Sequence, residues 1–334
     1  MAVSSQTNTT LQEIAEVLKA ADDFVICGHV GPDGDCLGSQ LALWHALRAL
    51  GKSATCVLVK DEPIPVDLAF MPGTDSMVFA GAFDGPARVF VGVDVPTRER
   101  IGQPACEILD RCKTSVTIDH HAVDSTMCEH VYVDPDSASS SMLVWQVVKE
   151  LLENPPYESA LCAYTGLVTD TGSFKYQNAD SNAFIVASEL VGYGVDPSYV
   201  ATNVYQNRTL ASVRLESRMI SRMELLHDGE IALGWVTAVD MEELGAVKSD
   251  VDLLVEALRS IQGVRVACML REQEDVVRGS LRAKDDTDVA SLARELGGGG
   301  HRAAAGLTLD MSLEEAQALM REKLVSLVSG DRED

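Results

Sequence analysis

Three short apolar runs in the first half of this chain each stop on an acid or a histidine. Residues 24–27 (FVIC) lead into Gly28-His29-Val30-Gly31-Pro32-Asp33-Gly34-Asp35, residues 88–93 (RVFVGV) into Asp94, and residues 115–118 (SVTI) into Asp119-His120-His121. Runs of this length without polar alternation read as strands buried on both faces, as in a parallel sheet. Helical apolar spacing at about 11–20, 37–50, 138–152, 157–168 and 181–191 supplies the covering layers, and Gly51 is placed to cap the second of these helices. Further strands are expected at 55–59 and 76–80. The fold class is therefore α/β: an N-terminal parallel sheet with helices on both faces. Ligands bind such sheets beyond the carboxyl ends of the strands, so the three motifs project into one crevice. A fourth motif, Val168-Thr169-Asp170-Thr171-Gly172, ends an expected helix and is placed to close over that crevice.

The pattern changes near residue 193, where Gly192, Gly194 and Pro197 break the last helix. Residues 198–226 look mainly helical. Hairpin-like pairs then follow at 223–227 with 231–237, turning at Asp228-Gly229, and at 264–270 with 276–282. Helices at about 250–260, 287–296 and 313–329 complete a smaller α+β domain. With 334 residues the chain has room for two cores. The expected division is an α/β domain over 1–192, a helical linker over 193–212 and a smaller domain over 213–330, with 331–334 loose.

No apolar run approaches the roughly 18 residues of a membrane span, and the polar first ten residues lack a signal-peptide pattern. A cytoplasmic protein is the expectation, with no membrane partner. Its eight cysteines, none spaced as a zinc or redox pair, read as small buried hydrophobes. The net charge of −24 argues against a long nucleic-acid duplex as partner. It leaves room for a short phosphorylated ligand held by a few arginines.

The motifs bring together carboxylates from Asp33, Asp35, Asp94, Asp119 and Asp170 and imidazoles from His29, His120 and His121. Five crowded carboxylates cannot all stay ionised without compensating charge. Divalent cations supply it, and a mixed histidine and carboxylate set suits Mn²⁺, Fe²⁺ or Co²⁺. His45 sits in a helical apolar pattern and reads as structural, His130 and His227 as surface residues, and the three tryptophans as core. Ser139-Ser140-Ser141 opens a helix, where capping is the simplest role.

These residues resemble the DHH phosphoesterase family, a DHH domain followed by a DHH-associated domain. They are most similar to its short-substrate branch, the bacterial nanoRNases that double as phosphatases of 3′-phosphoadenosine-5′-phosphate (pAp). Gly28 to Ser39 matches the first family motif, Asp94 with Arg100-Ile101-Gly102 the second, Asp119-His120-His121 the third and Thr169-Asp170-Thr171-Gly172 the fourth. Ser280-Leu281-Arg282 and Gly297-Gly298-Gly299-Gly300-His301-Arg302-Ala303-Ala304-Ala305-Gly306 match the glycine-rich signature of the second domain. Ala283 departs from the small polar residue common in relatives. The resemblance implies two metal ions, with Mn²⁺ the family's usual choice and Mg²⁺ or Co²⁺ as substitutes. His29 and Asp33 would hold one ion, Asp35, His120 and Asp170 the other, and Asp94 would bridge them. Asp119 would orient an imidazole, and His121 would donate to a phosphoryl oxygen or protonate the leaving oxygen. Arg100, Arg282, Gly298, Gly299, Gly300 and His301 would contact substrate.

The implied activity is two-metal hydrolysis of short 5′-phosphorylated oligonucleotides (nanoRNA, pApA, pGpG) and of pAp to nucleoside monophosphates. A homodimer is a further expectation. Cyclic-dinucleotide hydrolysis is the alternative within the same family. Inorganic pyrophosphatase activity fits the first domain but not the glycine run. A nucleotide sensor without catalysis would be expected to have lost a ligand, and a processive exonuclease would need further domains.

Overall fold

The computed structural model describes residues 5–274 and 276–330. The chain divides into two compact units, one reaching to Asn207 and the other starting at Arg208. Among the described residues, no helix is long and apolar enough to cross a membrane.

The first unit runs α1 (Leu11–Ala20), β1 (Phe24–Cys27), α2 (Gly34–Ala49), β2 (Ala54–Leu58), β3 (Val78–Phe79), β4 (Val89–Val93), α3 (Gly102–Arg111), β5 (Thr114–Asp119), β6 (His130–Val133), α4 (Ser140–Leu151), α5 (Tyr157–Asp170), α6 (Ser181–Gly192) and α7 (Pro197–Tyr205). Its six strands pair in the order β3-β2-β1-β4-β5-β6, all parallel. Successive strand residues face opposite sides. Phe24 and Ile26 pack under α1, α2, α4 and α5, whereas Val25 and Cys27 pack on the other side against Ile101, Ala105, Ile108 and Leu109 around α3. Both faces are thus covered, which is why these strands carry no polar alternation. Strand order reverses between β1 and β4, and a crevice opens at their carboxyl ends.

Two details depart from the sequence expectation. The second helix starts at Gly34 rather than Leu37, because Asp33 caps it: the Asp33 carboxylate accepts the N–H groups of Asp35 and Cys36. Asp35 is therefore in the first helical turn. Residues 76–80 shrink to the two-residue β3 between 3-10 turns. The short edge strand β6 and helix α3 had no clear sequence signal. The α3 stripe is built partly from Ala105 and Cys106, and β6 alternates half-buried and buried residues over only four positions.

The packing of α2 against α5 requires small residues. A Cβ on Gly38 would fall 2.5 Å from the Cys162 carbonyl, and one on Gly166 would fall 2.8 Å from the Asp35 carboxylate. This close approach brings the start of α2 to the end of α5.

The second unit runs α8 (Leu210–Arg222), β7 (Glu224–Leu226), β8 (Ile231–Val236), α9 (Ala238–Leu244), α10 (Leu254–Arg259), β9 (Val266–Gln273), β10 (Val276–Ala283), α11 (Val289–Glu295), β11 (Gly299–His301), β12 (Ala304–Leu309) and α12 (Leu313–Gly330). Its sheet has the order β11-β12-β10-β9-β8-β7, antiparallel except for the parallel pair β8 and β9. One face carries Leu233, Leu270, Leu281 and Leu307 against Met320 and Leu324 of α12. On the other face, Ala232, Val236, Ala267 and Met269 pack under Leu215, Leu254 and Leu258 of α8 and α10. Both hairpins lie where the sequence put them; β11, β12 and α9 were not anticipated. The expected loose tail, residues 331–334, lies outside the described residues.

Candidate metal centre

Each strand-end motif delivers a donor to the carboxyl edge of the first sheet. After β1, His29 is buried, and its Nδ1 faces the Val30 carbonyl at 3.0 Å. A carbonyl only accepts, so Nδ1 carries the hydrogen. Its Nε2 then faces Asp94 Oδ2 at 3.3 Å and Asp33 Oδ1 at 3.7 Å. After β5, His120 repeats the arrangement: Nδ1 lies 3.2 Å from the Ser137 carbonyl. Its Nε2 lies 3.6 Å from Asp94 Oδ1, 3.8 Å from Asp170 Oδ2 and 3.9 Å from Asp35 Oδ2. Outer hydrogen bonds that fix one ring nitrogen and free the other are typical of metal-binding histidines.

Asp94 sits at the centre. Its backbone adopts φ +56°, a left-handed conformation that Asp tolerates better than most residues. Its N–H still donates to the Ile118 carbonyl at 3.1 Å, so β5 holds the backbone while the carboxylate turns inward. One oxygen faces His29 and the other faces His120 and His121. Two ligands on one ion, each about 2.0–2.2 Å from it, lie roughly 3.0–3.5 Å apart. The observed spacings of 3.3–3.9 Å overlap that range and extend slightly beyond it.

Electrostatics favours a cation here. Burial, followed by the Asp94 charge, pushes the Asp35 carboxyl up to about 7. Burial also drives Asp170 well above the usual carboxylate range, with Asp35, Asp33 and Asp94 adding to the rise against an opposing pull from His120. Asp170 is also the last residue of α5, at the negative end of the helix dipole, where a carboxylate is disfavoured. Burial would lower both histidines, yet the carboxylates outweigh it and raise His29 to about 10 and His120 to about 9. Asp119 is fully buried, and its Oδ2 accepts no hydrogen bond among the described residues. Among the described residues, three sets of donors form, the atoms of each set lying within 4.8 Å of one another: His29, Cys36 and Asp94; Asp94, His120 and His121; Asp35, His120 and Asp170. The oxygen and imidazole donors fit a divalent cation. Burial pushes the Cys36 thiol well above its ordinary range, with the Asp94 and Asp33 charges adding to the rise.

Residues 23–167 match the model of the DHH family N-terminal domain, and residues 235–326 match that of the DHHA1 domain. The bifunctional oligoribonuclease and PAP phosphatase NrnA of Thermus thermophilus is 33% identical over 318 residues, covering 93% of this chain and 93% of its own. The chain belongs to the DHH family. The protein of the same name from Bacillus subtilis is 26% identical over 314 residues, covering 93% of this chain and 96% of its own. Among solved structures, an exopolyphosphatase-related protein from Bacteroides fragilis superposes with a TM-score of 0.88 at 28% identity, covering 95% of each chain.

In this DHH-family chain, Asp119-His120-His121 divides its work. His120 faces the acidic cluster, whereas His121 is half-buried and bonds through Nδ1 to Asp119 Oδ1 at 2.9 Å. Arg100 enters through its backbone, accepting the Val30 N–H at 2.8 Å and so bracing the His29 loop.

The serines of α4 do more than the capping role read from the sequence. Ser139 does cap the helix through Met142 N–H. Beyond it, the N–H groups of Ser140 and Ser141 donate to the two oxygens of Asp35 at 2.7 and 2.9 Å, and Ser140 Oγ donates to Asp94 Oδ1 at 2.9 Å. The N-terminus of α4 thus orients two carboxylates at once. Ser140→Ala keeps the backbone bonds and removes only the hydroxyl. It is expected to weaken metal binding by about 10-fold, the lower end of such outer-ligand effects; metal titration of the chelated protein measures it.

In the second unit, Gly297 and Gly298 close α11. Gly297 N–H donates to the Arg294 carbonyl and Gly298 N–H to the Ala293 carbonyl, with Gly297 at φ +78°. The N–H of Gly298, a residue expected to contact substrate, is taken up by this helix cap. Gly299 and Gly300 belong to β11, paired with β12, and a Cβ on Gly300 would fall 2.5 Å from the Ala304 carbonyl. Arg282 on β10 bonds through Nε to Glu256 at 3.1 Å and through Nη1 to the Leu281 carbonyl at 3.0 Å. The His301 side chain lies outside the described part of the structure.

Proposed function

We propose that this protein hydrolyses short 5′-phosphorylated oligonucleotides and pAp to nucleoside monophosphates, using two divalent ions, with Mn²⁺ the best fit to the mixed donor set. The observation that carries this reading is the bridging posture of Asp94, with one oxygen turned to His29 and the other to His120. His29, Asp33 and Asp94 would hold one ion, and Asp94, Asp35, His120 and Asp170 the other. When bound, the ions activate water and stabilise charge that develops on the phosphoryl oxygens.

The chain's own residues account for the rest. Val30 and Ser137 carbonyls keep the two ligand imidazoles in the right tautomer. Asp119 does the same for His121, whose Nε2 would donate to a phosphoryl or leaving oxygen. Arg100, whose guanidinium forms no ion pair among the described residues, would take a phosphate. Arg282, Gly299, Gly300 and His301 in the second unit would bind nucleotide. The names of the Thermus and Bacillus relatives support the substrate class, and their match over nearly the whole length of both chains supports carrying it over.

The test is a time course with Mn²⁺ and pApA, with pAp and pyrophosphate in parallel. AMP release from pApA or pAp, abolished by chelator, is expected. Cleavage of pyrophosphate alone would overturn the substrate assignment while leaving the metal centre intact.

A further inference from the structure

Three of the four carboxylates assigned to the ions take their hydrogen bonds from the start of a helix. Asp33 accepts the N–H groups of Asp35 and Cys36 at the start of α2. Asp35 accepts those of Ser140 and Ser141 at the start of α4, and Asp94 accepts the Ser140 hydroxyl. Asp170 is placed differently. It is the last residue of α5, and that end of a helix presents carbonyls instead of N–H groups. Among the described residues, the hydrogen bond donated to its carboxylate comes from Asn178. Asn178 Nδ2 lies 3.4 Å from Asp170 Oδ2, the oxygen that faces His120.

The same Nδ2 donates to the Asp170 carbonyl at 3.1 Å and to the Ala138 carbonyl at 2.9 Å. Three oxygens around one atom identify it as the amide nitrogen, which has two hydrogens to give. Ala138 follows Ser137, whose carbonyl faces His120 Nδ1, and precedes the serines that grip Asp35 and Asp94. One amide therefore ties Asp170 to the segment that orients His120, Asp35 and Asp94. These four side chains are the set assigned to the second ion.

The backbone between Asp170 and Asn178 is built for this return. Gly172, Ser173 and Phe174 have φ of +54°, +61° and +59°. Consecutive left-handed residues other than glycine are disfavoured, and they persist where their surroundings over-determine them, as at functional sites. Here Ser173 N–H donates to the Val168 carbonyl at 2.7 Å, and the N–H groups of Lys175 and Tyr176 donate to the Thr171 carbonyl at 3.0 and 3.1 Å. The Phe174 ring stacks on Phe184 of α6, with centroids 5.0 Å apart. A Cβ on Gly172 would enter the Tyr176 ring.

We propose that Asn178 is a positioning residue for the second ion. Its amide holds Asp170 in register with residues 137–141 and keeps Oδ2 turned towards His120. This inference rests on the reading of the centre as one that holds two divalent ions.

The experiment titrates Mn²⁺ into the chelated full chain, its Asn178→Ala variant and its Asp33→Asn variant, following the two binding events by calorimetry. Asn still caps a helix, so Asp33→Asn leaves α2 in place and marks which event belongs to the first ion. In Asn178→Ala the second ion is expected to bind about tenfold more weakly, the lower end of such outer-ligand effects, with the first ion unchanged. Turnover of pAp by this variant should fall at limiting Mn²⁺ and return to the parent rate as Mn²⁺ saturates. The melting temperature in chelator reports general damage to the fold. Such damage weakens both ions alike, so the ratio of the two dissociation constants decides in either case. Equal loss at both ions, parent affinity at both, or a turnover deficit that saturating Mn²⁺ leaves in place would overturn the inference. A parent chain that takes up fewer than two ions would overturn the two-ion reading itself, and this inference with it.

Discussion

Asp94→Asn is expected to lower kcat on pAp by about 10³-fold or more. Losing the charge that would bridge two ions forfeits several kcal/mol of electrostatic stabilisation, and about 1.36 kcal/mol corresponds to a factor of ten in rate. Asn is the informative replacement because it retains both the size of Asp94 and its tolerance of φ +56°. The N–H bond to Ile118 is unaffected, so the fold should survive, and the melting temperature in chelator should stay close to that of the parent. Metal content measured by elemental analysis should fall with activity. Parent-level turnover in Asp94→Asn would remove the bridging role.

Stripping divalent ions is expected to abolish turnover and to lower the melting temperature, and Mn²⁺ should restore both. Metal at about a thousand times its dissociation constant stabilises by about 4 kcal/mol. For a unit of this size that corresponds to roughly 8–16 °C. The pH dependence follows from the histidines. In the metal-free protein, neighbouring carboxylates raise His29 to about 10 and His120 to about 9, so both are protonated at neutral pH. Metal binding requires neutral imidazole and must displace those protons. Affinity for each ion should therefore rise by at least about tenfold per pH unit from about pH 7 to about 8.5, and fall correspondingly on acidification. Titrations at fixed ionic strength across that range measure it. A flat profile, or a melting temperature indifferent to chelator, would speak against histidine ligation.

The strand-end motifs were legible because an unbroken apolar run that stops on Asp or His marks both a buried strand and the edge where ligands bind. Asp94, His29 and His120 could be placed in one crevice on that basis alone. Ser140 could not. A serine that caps a helix and a serine that orients two carboxylates look the same in one dimension, and only the meeting of α4 with Asp35 and Asp94 separates them. The glycine run shows the converse. Four glycines in a row suggested a ligand loop, yet Gly297 and Gly298 serve the cap of α11, and the need for small residues at Gly300 comes from the β12 backbone beside it. Short elements were missed for the same reason: β6 and β11 are stabilised by the strands they join and not by their own composition.

What the amino-acid sequence determined by itself is the parallel sheet, its family and the donor residues along its edge, because these depend on local apolar pattern and residue type. Tertiary structure alone decided how those donors share charge: which oxygen of Asp94 faces which histidine, and which helix N-terminus grips Asp35. Such relations depend on distances between segments far apart in the chain, and electrostatic energy varies with distance and burial in a way no linear pattern encodes.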